Sequence, residues 1–362
     1  MRAPLIALLI TACSGPPSIL VDAGTAGGNT GTSGGGATAG GSTAGGSTAG
    51  GGSTAGGGST TQPLVGEWQQ LPPLAVARQE TGVAALNGEI YVVGGFVPPS
   101  QVVATVDAYD PDAGTWRDAG SLPVAMHHTN VAALNGKLYV VGGLTGLGFT
   151  ASRLVLEYDP ATRQWSSKAM LPAGAERGGA ATVASGNFIY VAGGYRQGSA
   201  VADFSRYDPV ADQHQPLAPL PAARDHLVGG AVGDSIFAIG GRNAAITSIT
   251  GRVDRYDLAD GGWSAAAPML TPRAGAAAGV SGSRIIVAGG EGNRAPGNST
   301  GVFAHVEVLD TVTNTWLDGG VMRTPRHGTG GAVVGDTFYM PGGATTEAFG
   351  ATPTVESVSF PP

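Results

Sequence analysis

A repeat of paired glycines constrains the fold of this chain more than any other feature. Residues 83–95 read VAALNGEIYVVGG and residues 131–143 read VAALNGKLYVVGG. Glycine pairs end six such stretches, about 50 residues apart, at Gly94-Gly95, Gly142-Gly143, Gly193-Gly194, Gly240-Gly241, Gly289-Gly290 and Gly342-Gly343. A fixed period of about 50 residues is typical of propellers and solenoids, in which each repeat is one supersecondary unit.

The pattern inside each unit predicts four antiparallel strands. Apolar residues 81–86 are followed by Asn87-Gly88, which has the chemistry of a tight hairpin turn, and by the β-branched and aromatic residues 89–93. A tyrosine marks the end of a third strand and a tryptophan the start of a fourth, at Tyr109, Tyr158, Tyr207, Tyr256, Trp116, Trp165, Trp263 and Trp316. We expect these aromatic residues to pack between units. Four such strands per repeat form a propeller blade.

These features resemble the kelch repeat, which combines paired glycines, a tyrosine upstream of a tryptophan, and an arginine after the following loop. The resemblance covers about residues 66–360 and implies an all-β fold, a six-bladed kelch β-propeller. The chain departs from the pattern at four places. These are His214 at a tryptophan position, Met126 at an arginine position, Leu309 in place of tyrosine, and Pro341 before the last glycine pair.

The two ends of the repeat region predict how the propeller closes. The region begins with a fourth strand, EWQQLPPL at 67–74, and ends with a third strand, TVESVSF at 354–360. We expect the first strand to complete the last blade, with Trp68 as its tryptophan. Closure of this kind pairs a strand edge that would otherwise be open to aggregation.

The N-terminal region predicts a lipid anchor followed by a spacer. Residues 1–12 carry one positive charge and a short apolar stretch, as secretory signal peptides do. Ile10-Thr11-Ala12-Cys13 resembles a bacterial lipobox, in which Cys13 becomes lipidated; an ordinary signal peptide is the alternative. Ser14, rather than aspartate, favours the outer membrane of the bacterial cell envelope. Residues 13–61, rich in Gly, Ser, Thr and Ala, are expected to be a disordered tether to the propeller at 62–362.

The composition excludes several functional classes. The net charge of −7 gives no reason to expect nucleic-acid binding. No apolar run is long enough to span a membrane, so the only expected membrane contact is the N-terminal lipid. The single cysteine rules out an intramolecular disulfide and thiolate zinc sites. Copper radical oxidases of the galactose oxidase type share the kelch propeller, but their cofactor joins a cysteine to a tyrosine. The only cysteine of this chain belongs to the lipobox-like sequence, so we do not expect that chemistry. We expect no cofactor.

A repeated arginine is the first candidate for ligand binding. The position sixteen residues before each glycine pair holds Arg78, Met126, Arg177, Arg224, Arg273 and Arg326. We expect these five guanidinium groups to form a ring near one end of the central channel, where they could bind carboxylates or phosphates. The alternative is that each arginine binds backbone carbonyls of its own connecting loop, and the regularity of the pattern favours this structural role.

The loops after the glycine pairs are the second candidate, because loops on a rigid scaffold often carry function. Their polar and aromatic residues are Tyr195, Arg196, Arg242, Asn293 and Arg294, which are expected either to contact a ligand or to be merely exposed. His128, His226 and His327 follow the repeated arginine position closely. Because they lie on separate blades, we expect them to be too far apart for a metal ion and to be solvated or hydrogen-bonded in loops.

The sequence favours a binding module over an enzyme. No nucleophile–base pair, carboxylate dyad or metal spacing stands out in it. We therefore expect a surface-tethered propeller that recognises an unidentified protein or glycan. The alternative is a sugar-processing enzyme of the N-acetylneuraminate epimerase (mutarotase) kind, which the resemblance implies is possible on a six-bladed kelch propeller.

Overall fold

The computed structural model describes residues 66–360. The predicted signal peptide, Cys13 and the tether lie outside the described residues. Strands joined by turns and loops make up the described part. Among the described residues there is no helix long and apolar enough to cross a bilayer.

The first fourteen strands are β1 (Gln69–Leu71), β2 (Gly82–Leu86), β3 (Glu89–Val93), β4 (Phe96–Val97), β5 (Gln101–Val102), β6 (Thr105–Asp110), β7 (Thr115–Ser121), β8 (Val131–Leu134), β9 (Lys137–Thr145), β10 (Thr150–Asp159), β11 (Gln164–Ser167), β12 (Ala181–Ser185), β13 (Phe188–Ala192) and β14 (Tyr195–Arg196). The remaining strands are β15 (Ser199–Ala200), β16 (Phe204–Asp208), β17 (Gln213–Pro216), β18 (Val228–Val232), β19 (Ser235–Ile239), β20 (Val253–Asp257), β21 (Gly262–Ala266), β22 (Ala277–Ser281), β23 (Arg284–Ala288), β24 (His305–Asp310), β25 (Thr315–Val321), β26 (Ala332–Val334), β27 (Thr337–Pro341) and β28 (Val355–Ser359).

Six four-stranded antiparallel sheets confirm the predicted six-bladed propeller. From the first strand to the fourth, blades 1 to 6 are β2-β3-β6-β7, β8-β9-β10-β11, β12-β13-β16-β17, β18-β19-β20-β21, β22-β23-β24-β25 and β26-β27-β28-β1. Two small hairpins, β4–β5 and β14–β15, belong to the loops after the glycine pairs. Asn87 and Gly88 both adopt positive φ, as the predicted hairpin turn requires.

The predicted closure is confirmed. Strand β1 pairs antiparallel with β28, in the register Gln69↔Ser357, Gln70↔Glu356 and Leu71↔Val355. Trp68 is buried and packs edge-on against Phe338, with ring centroids 6.3 Å apart. The first described strand therefore completes the blade formed by the last described strands and pairs the edge of β28, which would otherwise be open.

The repeated aromatic residues pair within their blades, and the indoles of Trp116, Trp263 and Trp316 also hydrogen-bond to the preceding blade, as the expectation of contacts between blades requires. Each of Tyr109, Tyr158 and Tyr256 lies 5.1 Å from the tryptophan opposite it in the same blade. His214 takes the place of a tryptophan in blade 3. It stacks on Tyr207 at 4.7 Å, and its Nε2 hydrogen-bonds the carbonyl of Ala169 at 2.8 Å, as the indole of Trp263 does with the carbonyl of Ala218.

The glycine pairs are the seams between neighbouring blades. Both glycines of every pair adopt positive φ. The N–H of Gly95 donates to the carbonyl of Met126 in the next blade at 2.8 Å, and the second glycine of every other pair makes the equivalent bond. A Cβ on Gly94 would lie 2.3 Å from the same carbonyl. Only glycine combines this backbone conformation with so close an approach.

Candidate functional site

The repeated arginines lie inside the blades and do not line the channel. Arg78, Arg177, Arg224, Arg273 and Arg326 are between 0% and 2% exposed, and none of them lines either of the two central cavities described below. Arg326 is typical, since it donates to the carbonyls of Thr324, Met340 and Gly342 and forms a 2.5 Å ion pair with Glu356. The expected guanidinium ring at the channel mouth is not formed, and we assign these residues a structural role.

The partner of each buried arginine lies on the third strand of the same blade. Four blades supply a carboxylate there, from Asp107, Asp254, Glu307 and Glu356. In blade 3 the partner is the Ser205 hydroxyl, 2.9 Å from Arg177, and burial lowers the pKa of this arginine to about 10. In blade 2 the corresponding residues are Met126 and Leu156, both buried in one apolar cluster. The departure at Met126 is therefore matched by its partner.

Most of the predicted loop residues stabilise their own loops. Tyr195 is buried in β14, where it pairs with Ala200. Arg196 binds Asp203 at 2.6 Å and the carbonyl of Gly174. The Asn293 amide donates to the carbonyl of Val302 at 3.1 Å. Arg294 makes two hydrogen bonds to Glu347, at 2.5 and 2.7 Å, and thereby joins two loops at the rim of a cavity. Arg242 alone reaches the centre of the propeller.

Six residues form a closed hydrogen-bonded ring around the propeller axis. They lie two positions after the repeated arginine position and are Glu80, His128, Gly179, His226, Gly275 and Gly328; we call them the axial ring. The N–H of each donates to the carbonyl of the ring residue in the preceding blade, and the bond from Glu80 to Gly328 closes the ring. All six adopt positive φ, between 48° and 66°.

The three ring positions that are not glycine bring their side chains together. A left-handed conformation is unfavourable for Glu80, His128 and His226, and such backbone strain is commonly found at functional sites. The Nε2 atoms of His128 and His226 are 2.9 Å apart, and Oε2 of Glu80 lies 3.0 Å from Nε2 of His128. The expectation that histidines on separate blades would stay apart was wrong, because the ring draws these positions towards one axis.

Histidines adjacent to the ring extend the cluster. His127 places Nδ1 2.6 Å from Nδ1 of His128, and its Nε2 lies 3.0 Å from the carbonyl of Gly146. In blade 6, His327 directs Nε2 to the carbonyl of Thr346 at 3.0 Å and Nδ1 towards Glu80 and Glu291. Four of the six histidines of the chain therefore meet at this face of the propeller.

Arg242 links the histidines to two buried carboxylates. Its Nε donates to Asp225 at 3.1 Å, its Nη1 to Glu291 at 2.6 Å, and its Nη2 to Nε2 of His226 at 3.1 Å. Asp225 also accepts hydrogen bonds from Nδ1 of His226 at 2.6 Å and from the backbone N–H of Ala244 at 2.8 Å. The Asp225 contact fixes the His226 tautomer with the proton on Nδ1, so that Nε2 presents a lone pair.

Burial and neighbouring charges set the protonation of the cluster. Burial lowers the pKa of His127 to about 4 and holds the pKa of His128 well below its usual value, an effect that the nearby His226 reinforces. Burial alone would raise the pKa of both Asp225 and Glu291. The hydrogen bond from His226 and then the charge of Arg242 lower the pKa of Asp225, and His327 and then Arg242 lower the pKa of Glu291. At neutral pH His127 and His128 are uncharged, while these two carboxylates are ionised.

A cavity of about 180 Å³ opens above this cluster, on the face that carries the loops after the glycine pairs. We call it the loop-face cavity. Its apolar side consists of Phe96, Leu147, Phe149, Ile246 and Phe349. Its polar floor consists of Glu80, His128, His226, Arg242, Glu291 and His327. A channel cavity of about 150 Å³ continues along the innermost strands, and Glu80, His128 and His226 line both cavities.

Sequence reasoning missed four of the residues at this site, which are Glu80, His127, Asp225 and Glu291, and it noted His128, His226 and His327 but expected them to stay apart. One signal for Glu80 is present in the sequence. Three of the six equivalent repeat positions are glycine, at Gly179, Gly275 and Gly328, which indicates a left-handed backbone. A residue other than glycine at such a position is therefore a candidate for a functional role. The contacts of Asp225 and Glu291 depend on loop conformation, so no comparable sequence signal marks these two residues.

Comparisons with known proteins agree with the propeller. The KLHDC2/KLHL20/DRC7 Kelch-repeats domain matches residues 65–241, and the Kelch motif matches residues 223–270 and 272–320. The Kelch-like protein terF of Aspergillus terreus is 35% identical over 319 residues, which cover 83% of this chain and 69% of that protein. A solved structure described as "Structure of YjhT" shares the fold, with a TM-score of 0.67 and 19% identity over 79% of this chain and 96% of that one. The chain therefore belongs to the kelch-repeat family.

Proposed function

We propose that the protein is a recognition module whose loop-face cavity binds a hydroxyl-rich ligand such as a sugar residue of a glycan. A kelch propeller supports a recognition or protein-interaction role in general. The observation that carries the finer proposal is the division of the cavity into an apolar side and a polar floor, since an apolar wall with a few convergent polar groups is the usual composition of a ligand site.

The polar floor favours a ligand that donates hydrogen bonds. Its carboxylates and imidazole lone pairs are acceptors, whereas Arg242, the guanidinium donor of the floor, is already bonded to Asp225, Glu291 and His226. Sugar hydroxyls can donate to these acceptors while the apolar face of the ring packs on Phe349, which is 37% exposed. The cavity of about 180 Å³ is suited to one such unit at a time.

An array of immobilised mono- and oligosaccharides, probed with the full-length chain, tests the proposal. We expect saturable binding to a subset of sugars, weakened about tenfold by Phe349→Ala through loss of one aromatic contact. The control is Val312→Ala, which removes an exposed apolar side chain from a turn between third and fourth strands, at the far end of the blades. Binding to basic peptides but not to sugars would favour a protein partner. Sugar binding that is unchanged by Phe349→Ala would place the site elsewhere.

We also propose that the module is tethered to the bacterial cell envelope through Cys13, as an outer-membrane lipoprotein. The support is the lipobox-like sequence and the glycine-rich residues that separate it from the propeller. The wild-type chain should partition into membranes and into detergent. A Cys13→Ser variant that partitions equally well would contradict the lipid anchor.

A mutarotase activity is the second candidate, favoured by the Asp225–His226 pair. Asp225 orients His226 through Nδ1, as a carboxylate orients a general base, and His226 lines the cavity with its Nε2 beside Arg242. Exchange between sugar anomers, followed by NMR, would reveal the activity. If exchange is accelerated by the wild-type chain and not by His226→Gly, the enzyme is supported over simple binding.

A further inference from the structure

The geometry points to a divalent transition-metal site formed by Glu80, His128 and His226 at the centre of the axial ring. One ligand atom from each residue, a carboxylate oxygen or an imidazole nitrogen, lies within 4.8 Å of the other two. The residues come from blades 1, 2 and 4 and meet only because the propeller is closed. The inference does not depend on the proposed sugar binding.

Hydrogen-bond partners assign the protons of the histidines and leave electron pairs facing one another. The Nε2 of neutral His127 must carry its proton, because it faces the Gly146 carbonyl. Its Nδ1 therefore accepts a hydrogen bond, and the donor is Nδ1 of His128 at 2.6 Å. The single proton of neutral His128 is thus on Nδ1, and its Nε2 is a bare lone pair. It lies 2.9 Å from the Nε2 lone pair of His226.

Two lone pairs and a carboxylate at such short separations repel one another unless a cation lies between them. Oε2 of Glu80 is 3.0 Å from Nε2 of His128 and completes the set. The outer hydrogen bonds, to Gly146 through His127 and to Asp225, hold both imidazoles with Nε2 facing this contact. This is the arrangement in which outer hydrogen bonds orient imidazoles towards a metal ion.

His327 places a buried nitrogen beside two of the carboxylates of the cluster. Its side chain is 1% exposed, and Nδ1 makes no hydrogen bond while pointing towards Glu291 at 3.3 Å and Glu80 at 3.8 Å. The acidic side chains of the cluster are Glu80, Asp225 and Glu291, and among residues 66–360 their ion-pair partners are Arg242 and the cluster histidines. A divalent ion would be attracted to the place where these three acidic side chains converge.

Two of the ligand separations are close to those around a metal ion. Two ligand atoms about 2.1 Å from an ion are about 3.0 Å apart at right angles and about 3.4 Å apart in a tetrahedron. The separations of 2.9 and 3.0 Å are nearer to the right-angle value, and the third pair, Glu80 and His226, lies within 4.8 Å. Two histidines and one carboxylate bind Zn²⁺ in open catalytic sites and Fe²⁺ in facial triads. Zn²⁺ and Fe²⁺ are therefore the first candidate ions. The coordination positions that the three side chains leave open would face the cavities.

Arg242 is the nearest competing group. It donates from Nη2 to Nε2 of His226 at 3.1 Å, and a bound ion would take over that lone pair. The guanidinium would keep its hydrogen bonds to Asp225 and Glu291, because these are donated by Nε and Nη1 and not by Nη2. Arg242 would thus hold both carboxylates in place beside the ion, and Asp225 would act as a positioning residue for His226.

Titration with Zn²⁺ alone and with Co²⁺ alone tests the site. Every protein carries Cys13→Ser, so that the sole thiol cannot bind the ion. By calorimetry we expect one Zn²⁺ per chain, and by visible absorption a Co²⁺ spectrum with nitrogen and oxygen ligands. His128→Gly and His226→Gly should each weaken Zn²⁺ binding about 100-fold or more, and Asp225→Asn should weaken it about 10- to 100-fold.

Glycine is the matched replacement, because Gly179, Gly275 and Gly328 occupy the same ring position in the other blades without disturbing the fold. Circular dichroism and thermal unfolding in EDTA check that each variant is folded. His305→Gln, which changes an exposed histidine outside the cluster, is the control and should bind Zn²⁺ as the parent does. A parent chain without stoichiometric binding overturns the proposal. So does Zn²⁺ affinity that survives His128→Gly and His226→Gly.

Discussion

The buried arginines and the axial ring recur with the same period and lie two residues apart in each blade. From blade to blade, however, the arginine position keeps its side chain, whereas the axial ring keeps only its backbone conformation. The arginine position keeps one kind of contact in five blades, with its guanidinium bonded to backbone carbonyls and in four of them to a carboxylate. The axial ring keeps its backbone and changes its side chains. Three of its members are glycine, and the other three are Glu80, His128 and His226.

This difference separates structural from functional repetition. A contact that holds one blade together is needed once per blade, so the arginine recurs and is buried. A binding site needs side chains that differ from one another and point to the same place, and only an irregular set on a regular backbone provides them. The positive φ of Glu80, His128 and His226 is an unfavourable conformation that glycine would avoid. The comparison predicts that changes in the two sets affect different properties.

Arg326→Met should have the largest effect on stability. It leaves the carboxylate of Glu356, which is 2% exposed, without its guanidinium partner. Breaking a buried ion pair in this way lowers the free energy of unfolding by about 3–5 kcal/mol. Urea denaturation measures the loss. The double variant Arg326→Met, Glu356→Leu reproduces the pair found in blade 2, Met126 and Leu156, and should be more stable than the single variant. A double variant as unstable as the single one would contradict the matched-pair explanation.

Arg177→Met should have a smaller effect, although Arg177 is equally buried. Its partners are the Ser205 hydroxyl and the carbonyls of Ala175 and Val191, so its loss strands no charge. We expect the free energy of unfolding to fall by about 2 kcal/mol, the range for unsatisfied neutral groups. The same denaturation experiment compares it with Arg326→Met. An equal loss for both variants would show that packing of the long side chain, and not pairing of charge, decides the outcome.

Gly179→Ala tests the backbone of the axial ring. An added Cβ would meet His128 and His226 no closer than 3.5 Å, so there is room for it. The expected loss of about 1 kcal/mol in unfolding free energy comes from the left-handed conformation alone, at φ 61°. Thermal and urea unfolding should agree on the value. A loss well above that of Arg177→Met would mean that the ring tolerates no side chain here.

Glu80→Gly should have the smallest effect on stability. Whether it raises or lowers the free energy of unfolding tests the distinction between the buried arginines and the axial ring. It relieves the left-handed strain at this position. The loss of the carboxylate contacts with His128 and His327 and the greater flexibility of glycine in the unfolded chain oppose this gain. In EDTA we expect the free energy of unfolding to change by less than about 1 kcal/mol. A loss comparable to that of Arg326→Met would show that the ring side chains hold the fold together and would break the distinction.

Much of the fold follows from local patterns in the sequence. The glycine pairs, hairpin turns and Tyr–Trp positions predicted six blades, and the incomplete units at the two ends predicted the pairing of β1 with β28. The arginines showed the limit of this reasoning. Their repetition was visible, but the carboxylate partners lie about thirty residues away on the third strand, and the direction of the side chain depends on that pairing.

The candidate site was predicted only in part for a related reason. Arg242 was singled out as a loop residue, whereas Asp225 and Glu291 were not, although both bond to it. Asp225 and Arg242 meet through an isolated bridge between the ring-entry segment and the loop after a glycine pair. Such bridges recur in every blade, but their side chains differ, so the repeat pattern does not mark them.

The sequence by itself determined the repeating unit and the number of blades, because these depend on hairpins and periodic patterns within about fifty residues. It also determined the closing strand, because the incomplete units at the two ends complement each other. Only the tertiary structure decided that His128 and His226, which are 98 positions apart, would approach to 2.9 Å. The physical reason is closure. Six strand-entry segments joined by one ring of backbone hydrogen bonds must meet at the axis, and whatever side chains occupy those positions are brought into contact there.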